Sequence, residues 1–310
     1  MDCESKPLPA DILVVGGDGL IGHALVDRFR SMAMPVRYTS RRQNPRATDF
    51  IYLDLAQSPK IDYSPSVVFI CAGVTDLRLC EKAPFETRRI NVDATLDLAA
   101  KLYAGGSTVV YLSSHAVFDG SVPYAPTNEP VRPTTEYGWQ KAKVEQGILA
   151  MGGRTAVVRM PKVVSCKVPL FAQWLSCLSN GCEINPLSDL SLSPISLNYL
   201  TAALAADHLS GIVHLSGVSQ VTYVEFALEL AKALGVSRSL VRPTTAKEMN
   251  IALVYAPRHT SLDMRNTTAA LGIEPQTLSA VVSDLVREFF QSCDSARSGR
   301  HHNAQNDPML

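Results

Sequence analysis

Nowhere in its 310 residues does the chain hold an apolar run near the eighteen or so residues that a bilayer span needs. Its first ten residues carry Asp2, Glu4 and two prolines without an apolar stretch, so no secretory leader is expected there. An excess of charge of either sign is also missing, since 29 basic residues face 29 acidic ones. That balance argues against a bulk nucleic-acid patch and against an acidic tail. The seven cysteines form no Cys-x-x-Cys pair, and their scatter from Cys3 to Cys293 suits neither a disulfide framework nor a zinc site. Free thiols in a reducing compartment are the expectation, with a cytoplasmic location, no membrane contact and no metal centre.

What is there is an alternation of strands and helices. Residues 11–15 are a short, branched apolar run that opens directly into Gly16-Gly-Asp-Gly-Leu-Ile-Gly22. Ile21, Leu25, Phe29 and Met32 then recur at helical spacing. Further strands are expected at 36–39, 50–53, 66–71, 108–112 and 155–159. Helices are expected at 85–103, at 137–151, around 170–178, from a Thr222–Glu225 capping box to Gly235, and at 278–290. Such alternation implies α/β structure: a doubly wound parallel Rossmann sheet with a smaller C-terminal substrate-binding cap. The sheet domain is expected over 10–165 with a return segment at about 193–218, and the cap mostly within 166–291. Residues 54–66, too few for a crossover helix, should form a degenerate turn. Residues 292–310, polar and without apolar period, are expected to be a disordered tail.

The glycine triplet alone is a weak signal, arising by chance in roughly 6% of such chains. Its place between a strand and an amphipathic helix gives it weight. Gly16 permits a tight turn, Gly19 lets a pyrophosphate approach the backbone, and Gly22 lets helix and strand pack closely, with the amides around Leu20 and Ile21 aimed at phosphate. At the end of the second strand, Ser40, Arg41 and Arg42 stand where an acid would select a free ribose 2′-hydroxyl. Two guanidiniums and a hydroxyl suit a 2′-phosphate, so NADP (as NADPH) is expected over NAD.

At the end of the fifth strand stand Ser113 and Ser114, followed on a helix by Tyr137-Gly-Trp-Gln-Lys141. Positions i and i+4 share a helical face, so a lysine there stabilises a phenolate and lowers a phenol pKa that starts near 10. The phenol then protonates a carbonyl oxygen as hydride arrives, and Ser114 fixes the same oxygen.

Together these motifs resemble an extended short-chain dehydrogenase/reductase. More narrowly, residues 113–120 (Ser-Ser-His-Ala-Val-Phe-Asp-Gly) resemble the dTDP-4-dehydrorhamnose reductase branch. So do 211–217 through 222–226, Arg242-Pro243, Pro257-Arg258, 261–263 and 271–273. The same stretches are shared by an NADP-binding relative, the regulatory beta subunit of methionine adenosyltransferase. The resemblance implies catalytic places for Ser114, Tyr137 and Lys141. It implies cofactor places for Asp54 and Leu55 at the adenine, for Ala72, Gly73 and Thr75 after the fourth strand, for Asn91 supporting the lysine through a water, and for Pro161 near the nicotinamide. Arg258 would meet a substrate diphosphate or make a structural salt bridge.

Three departures from the branch bear on the sugar. Its Asp-Tyr after the active-site hydroxyl is here His115-Ala116, an aromatic-glycine pair after Arg159 is missing, and Lys162 replaces an apolar or aromatic residue. With no partner at ligand spacing, His115 reads as a substrate or loop contact and not as a metal ligand. The function implied is NADP-dependent reduction of a nucleotide-linked 4-keto-6-deoxy sugar. A nucleotide-sugar 4-epimerase and a non-catalytic NADP-binding regulatory subunit stay open, as does a homodimer. A 4,6-dehydratase needs an acid–base carboxyl pair that His115-Ala116 does not supply.

Overall fold

All four residues of β1 (Ile12–Val15) and of β4 (Val67–Ile70) are buried, as strands at the centre of a sheet covered on both faces must be. Beside β1 lie β2 (Val36–Ser40) and β3 (Phe50–Tyr52), and beside β4 lie β5 (Thr108–Leu112), β6 (Thr155–Arg159) and a last strand, Gly211–His214. The sheet order is Gly211–His214, β6, β5, β4, β1, β2, β3, with every pairing parallel. This computed structural model describes residues 11–42, 48–57, 61, 63–206 and 209–304.

Alternate residues of β1 face opposite ways. Ile12 and Val14 pack with Leu25, Val26 and Phe29 of the Leu20–Ser31 helix and with Leu200 and Leu204, whereas Leu13 and Val15 pack with Leu98, Leu102, Val144 and Ile148. The result is the doubly wound Rossmann-type α/β arrangement that the alternation implied. No helix appears among the described residues between β3 and β4.

A separate apolar cluster joins Phe171, Trp174 and Leu175 of the Pro169–Ser179 helix to Phe226 and Leu230 of the Tyr223–Ala233 helix and to Val281, Val282 and Leu285. The Thr222–Glu225 capping box opens the second of these helices, and Gly235 follows it at φ +67°. Between the parts of this cluster the chain returns to the sheet through the Leu197–Leu204 helix and the Gly211–His214 strand.

Two expectations are corrected. The expected 85–103 helix is three segments: Pro84–Arg88, a wide π turn at Arg89–Ala94, and Thr95–Ala104. In that turn Asn91 is buried and its carboxamide bonds outside the helix, which fits the π-bulge's habit of turning one functional side chain out of register. The final helix, Leu278–Ala304, runs on through the first part of the expected tail, because a helix once nucleated needs no apolar face to propagate. Residues 305–310 lie outside the described residues, as do Met1–Ala10.

Candidate active site

Parallel strands leave a crevice at their carboxyl ends where the connections diverge, here between β1 and β4. Gly16 follows β1 at φ +87°, and a Cβ there would meet Ala72, after β4, at 2.9 Å. A Cβ on Gly22 would lie 2.1 Å from the Gly16 carbonyl oxygen, so only glycine lets the Leu20–Ser31 helix start this close to the turn. Gly19 is its N-cap, with no side-chain cap and no acid in the first turn, so the amides around Leu20 and Ile21 carry the helix's positive end. The Gly16 N–H donates to Thr39 Oγ1 at 3.1 Å, which ties the turn to the end of β2. There the Ser40 hydroxyl accepts from the Arg42 N–H at 2.9 Å, and the exposed Arg42 guanidinium is 3.8 Å from Asp18.

Ser114, Tyr137 and Lys141, the triplet expected to be catalytic, lie on β5's carboxyl end and on one helix beside it. Ser114 lies two residues beyond β5, accepts at Oγ from the Ala116 N–H at 3.2 Å, and is near enough to the Tyr137 phenol to act on its pKa. Tyr137 and Lys141 lie one turn apart on the Glu136–Ala150 helix, which is N-capped by the Thr135 side chain. Gly138 lets that helix approach, since a Cβ there would lie 2.1 Å from the Ala116 carbonyl oxygen. Lys141 Nζ donates to the Leu112 carbonyl at 2.8 Å and lies 4.6 Å from the Tyr111 ring centroid but 5.7 Å from that of Tyr137. Burial lowers its pKa to about 8, against the opposing pull of Glu145.

The expected lowering of the Tyr137 pKa by lysine is therefore corrected. Burial pushes the phenol well above its ordinary value and Cys80 adds to this, with only the Ser114 hydrogen bond acting downwards. Asn91 lies in the π turn at Arg89–Ala94. Its Oδ1 accepts from the Val74 N–H at 2.7 Å, and its Nδ2 donates to the Val74 carbonyl at 2.8 Å and to Gln140 Oε1 at 2.7 Å. It holds the loop carrying Gly73 against the Glu136–Ala150 helix. Asp54 caps its own turn through the Ala56 N–H at 2.9 Å, with Leu55 half-buried beside it. Gly73 and Thr75 are exposed at the crevice, Ala72 is half-buried and Pro161 is buried.

Residues 10–291 match the family described as the RmlD substrate binding domain. The chain belongs to that family. It is 25% identical over 282 residues to the methionine adenosyltransferase 2 subunit beta of Bos taurus, covering 86% of this chain and 84% of that one. It is 24% identical over 293 residues to the probable low-salt glycan biosynthesis reductase Agl14 of Haloferax volcanii, covering 89% and 97%. In fold it is similar to a Bacillus anthracis dTDP-4-dehydrorhamnose reductase solved with NADP, at a TM-score of 0.73 and 19% identity, covering 93% and 100%.

This RmlD-family chain carries features beside the triplet that its motifs did not announce. Glu145 continues the face of Tyr137 and Lys141 by one more turn, a spacing that was visible in the sequence. It accepts from the Ser113 hydroxyl and pairs with Arg159 at 2.7 Å, both side chains being about 97% buried. Arg159 also reaches the Thr127 carbonyl at 3.3 Å and lies 3.5 Å from His214 Nε2. Tyr255, more than a hundred residues downstream, sets its ring 5.6 Å from that of His115. His115 Nδ1 is buried without a hydrogen-bond partner among the described residues, a condition that costs about 1–3 kcal/mol. Burial lowers the His115 pKa to about 4, and Lys162 adds to the effect. Arg258 is exposed, and no acid pairs with it among the described residues. Two cavities of about 670 Å³ lie away from the triplet, one beside Arg28 and Arg287 and one beside Met264 and Pro275.

Proposed function

We propose that the protein reduces the keto group of a nucleotide-linked 4-keto sugar with NADPH. One observation supports the reading: Tyr137 is a half-buried phenol held in its protonated state, one helical turn from Lys141, with the Ser114 hydroxyl near enough to act on it. The residues present fit the cofactor. An uncapped helix N-terminus meets a turn whose glycines leave the backbone bare, and two exposed arginines follow a buried serine. The amides after Gly19 would hold its pyrophosphate and Ser40, Arg41 and Arg42 its 2′-phosphate. Asp54, Leu55, Ala72, Gly73, Thr75 and Pro161 would line the remainder, with Asn91 bracing the Val74 loop.

Bound there, NADPH supplies hydride to a carbonyl carbon. Ser114 donates a hydrogen bond to the carbonyl oxygen and orients it. Tyr137 gives that oxygen its proton, which a phenol with a raised pKa still carries at neutral pH. The phenolate left behind is stabilised by the Ser114 hydroxyl, the one group that acts downwards on its pKa, until water reprotonates it.

The test is NADPH oxidation against a panel of nucleotide-linked keto sugars. Tyr137→Phe removes the proton and keeps the ring, so turnover should fall ~10²–10⁴-fold while NADPH binding survives. The similarity to the beta subunit of methionine adenosyltransferase favours a second reading, an NADP-binding regulatory subunit. That reading stands if no keto sugar is reduced and Tyr137→Phe leaves the effect on a partner enzyme intact.

A further inference from the structure

Lys141 is a half-buried ammonium without an ion-pair partner. Among the described residues Lys101 and Lys232 pair with carboxylates, and Lys141 does not. Glu145, one turn further along the same helix, pulls the Lys141 pKa upwards, but that carboxylate is taken up by Arg159 and the Ser113 hydroxyl. Cys71 and Cys80 also face the ammonium. Burial raises the first thiol to about 12 and lifts the second as well, so neither is charged at neutral pH. The closest neighbours are a carbonyl and two rings. Nζ donates to the Leu112 carbonyl at 2.8 Å, and it lies 4.6 Å from the Tyr111 ring centroid and 5.7 Å from that of Tyr137. Both ring distances are within the reach of a cation–π contact. Strand alternation sets Tyr111 with Val109 on the face of β5 that the Glu136–Ala150 helix covers, in one cluster with Val144 and Ile148 of that helix. The Tyr111 ring is thereby fixed at 2% exposure. Burial holds its phenol well above the ordinary value, with Tyr137 and Glu145 adding to this, so the ammonium meets a neutral ring and not a phenolate.

We infer that Tyr111 is a positioning residue for Lys141, its ring and the Leu112 carbonyl together holding the ammonium charged and in place beside Tyr137. The inference rests on the reductase reading for the use of that charge, since a lysine serves a bound cofactor as a donor only while it is protonated. An ammonium has three protons to donate and the Leu112 carbonyl takes one, so two remain for a ligand. A ring suits this task better than an acid. Its quadrupole favours the charged amine without neutralising it and without occupying its donors, as a carboxylate would. Burial pulls the Lys141 pKa down to about 8, close enough to neutrality that a contact of this kind sets how much of the amine is charged.

The test follows the titration of Lys141 in the full chain by NMR of isotope-labelled lysine, its signal assigned by its loss in Lys141→Arg. Tyr111→Phe keeps the ring face and should leave the titration midpoint where it is. A phenylalanine fluorinated at three ring positions, set at the same place, keeps the shape but drains the quadrupole. With it the midpoint should drop by about one pH unit, and a difluorinated ring should fall between. Urea midpoints of these chains should stay together, which separates the effect from a loss of packing. In NADPH oxidation, the limb of the pH profile that follows loss of the lysine proton should move down with the amine. A titration midpoint that ignores fluorination overturns the inference. So does a drop already complete in Tyr111→Phe, which would assign the effect to the hydroxyl. The titration needs neither sugar nor cofactor. A chain that shows the graded midpoint but reduces no keto sugar therefore overturns the reductase reading and leaves the hold of Tyr111 on Lys141 standing.

Discussion

If NADPH binds as proposed, Arg42 is the side chain whose charge biases the choice of cofactor. Its guanidinium is 81% exposed with Asp18 only at 3.8 Å, so its charge is available, and the Ser40 hydroxyl fixes the backbone from which it projects. A charged hydrogen bond is worth about 1.5–3 kcal/mol, so each arginine that meets a 2′-phosphate contributes roughly tenfold or more. NADPH is therefore expected to bind more tightly than NADH. Arg41→Ala with Arg42→Ala should weaken NADPH strongly and NADH little, as read by cofactor fluorescence titration. Equal affinity of the unmutated protein for both cofactors would overturn this. At this scale the sequence was most legible where backbone geometry restricts the residue type. Gly16 and Gly22 were readable because a Cβ at either would strike Ala72 or the Gly16 carbonyl. Tyr255 was not readable, since a ring contact across 140 residues leaves no local pattern.

On the Glu136–Ala150 helix one face carries Tyr137, Lys141 and Glu145, and β6 supplies Arg159 to the last of them. This buried pair sits under the Ser113–Ser114 strand end and joins helix to sheet through Glu145. Arg159→Met leaves an unpaired buried carboxylate and should destabilise the protein by about 3–5 kcal/mol. Adding Glu145→Leu removes the orphaned charge, so the double variant should recover most of that loss in urea denaturation. A double variant as unstable as the single one would mean that packing, not charge, sets the cost. Periodicity showed the helix but not this role, because Glu145 falls on a face that a 3.6-residue pattern reserves for apolar side chains. The π turn at Arg89–Ala94 escaped for a related reason. Ile90, Ala94, Leu98 and Leu102 keep an approximate helical period through it, while the inserted width serves the hydrogen bonds of Asn91 to Val74 and Gln140.

For the whole molecule, the seam between the sheet and the segment around 255–264 governs acid stability. Two histidines sit in it: His115 against Tyr255, and His214 with Nδ1 3.2 Å from the Asp263 carbonyl and Nε2 facing Arg159. Burial lowers the first to about 4 and the second to about 3, with Lys162 and Arg159 respectively adding to the effect. Both folded-state pKa values lie below the ordinary 6.5. As pH falls through 6.5 the unfolded chain takes up two protons that the folded chain refuses. Stability is thus complete above about pH 6.5 and drains away with acidification towards the folded values, by an order of magnitude of 3 kcal/mol per histidine. The carboxylates held low by partners, Glu136 and Asp263 among them, begin to matter only near their own ordinary values around 4. The interval from pH 6.5 to 5 therefore isolates the histidines. Urea midpoints should fall steadily across it, and His115→Asn should flatten the slope by about half by removing one of the two protons. A midpoint constant from pH 7 to 5 would mean that neither ring is held neutral in the folded protein.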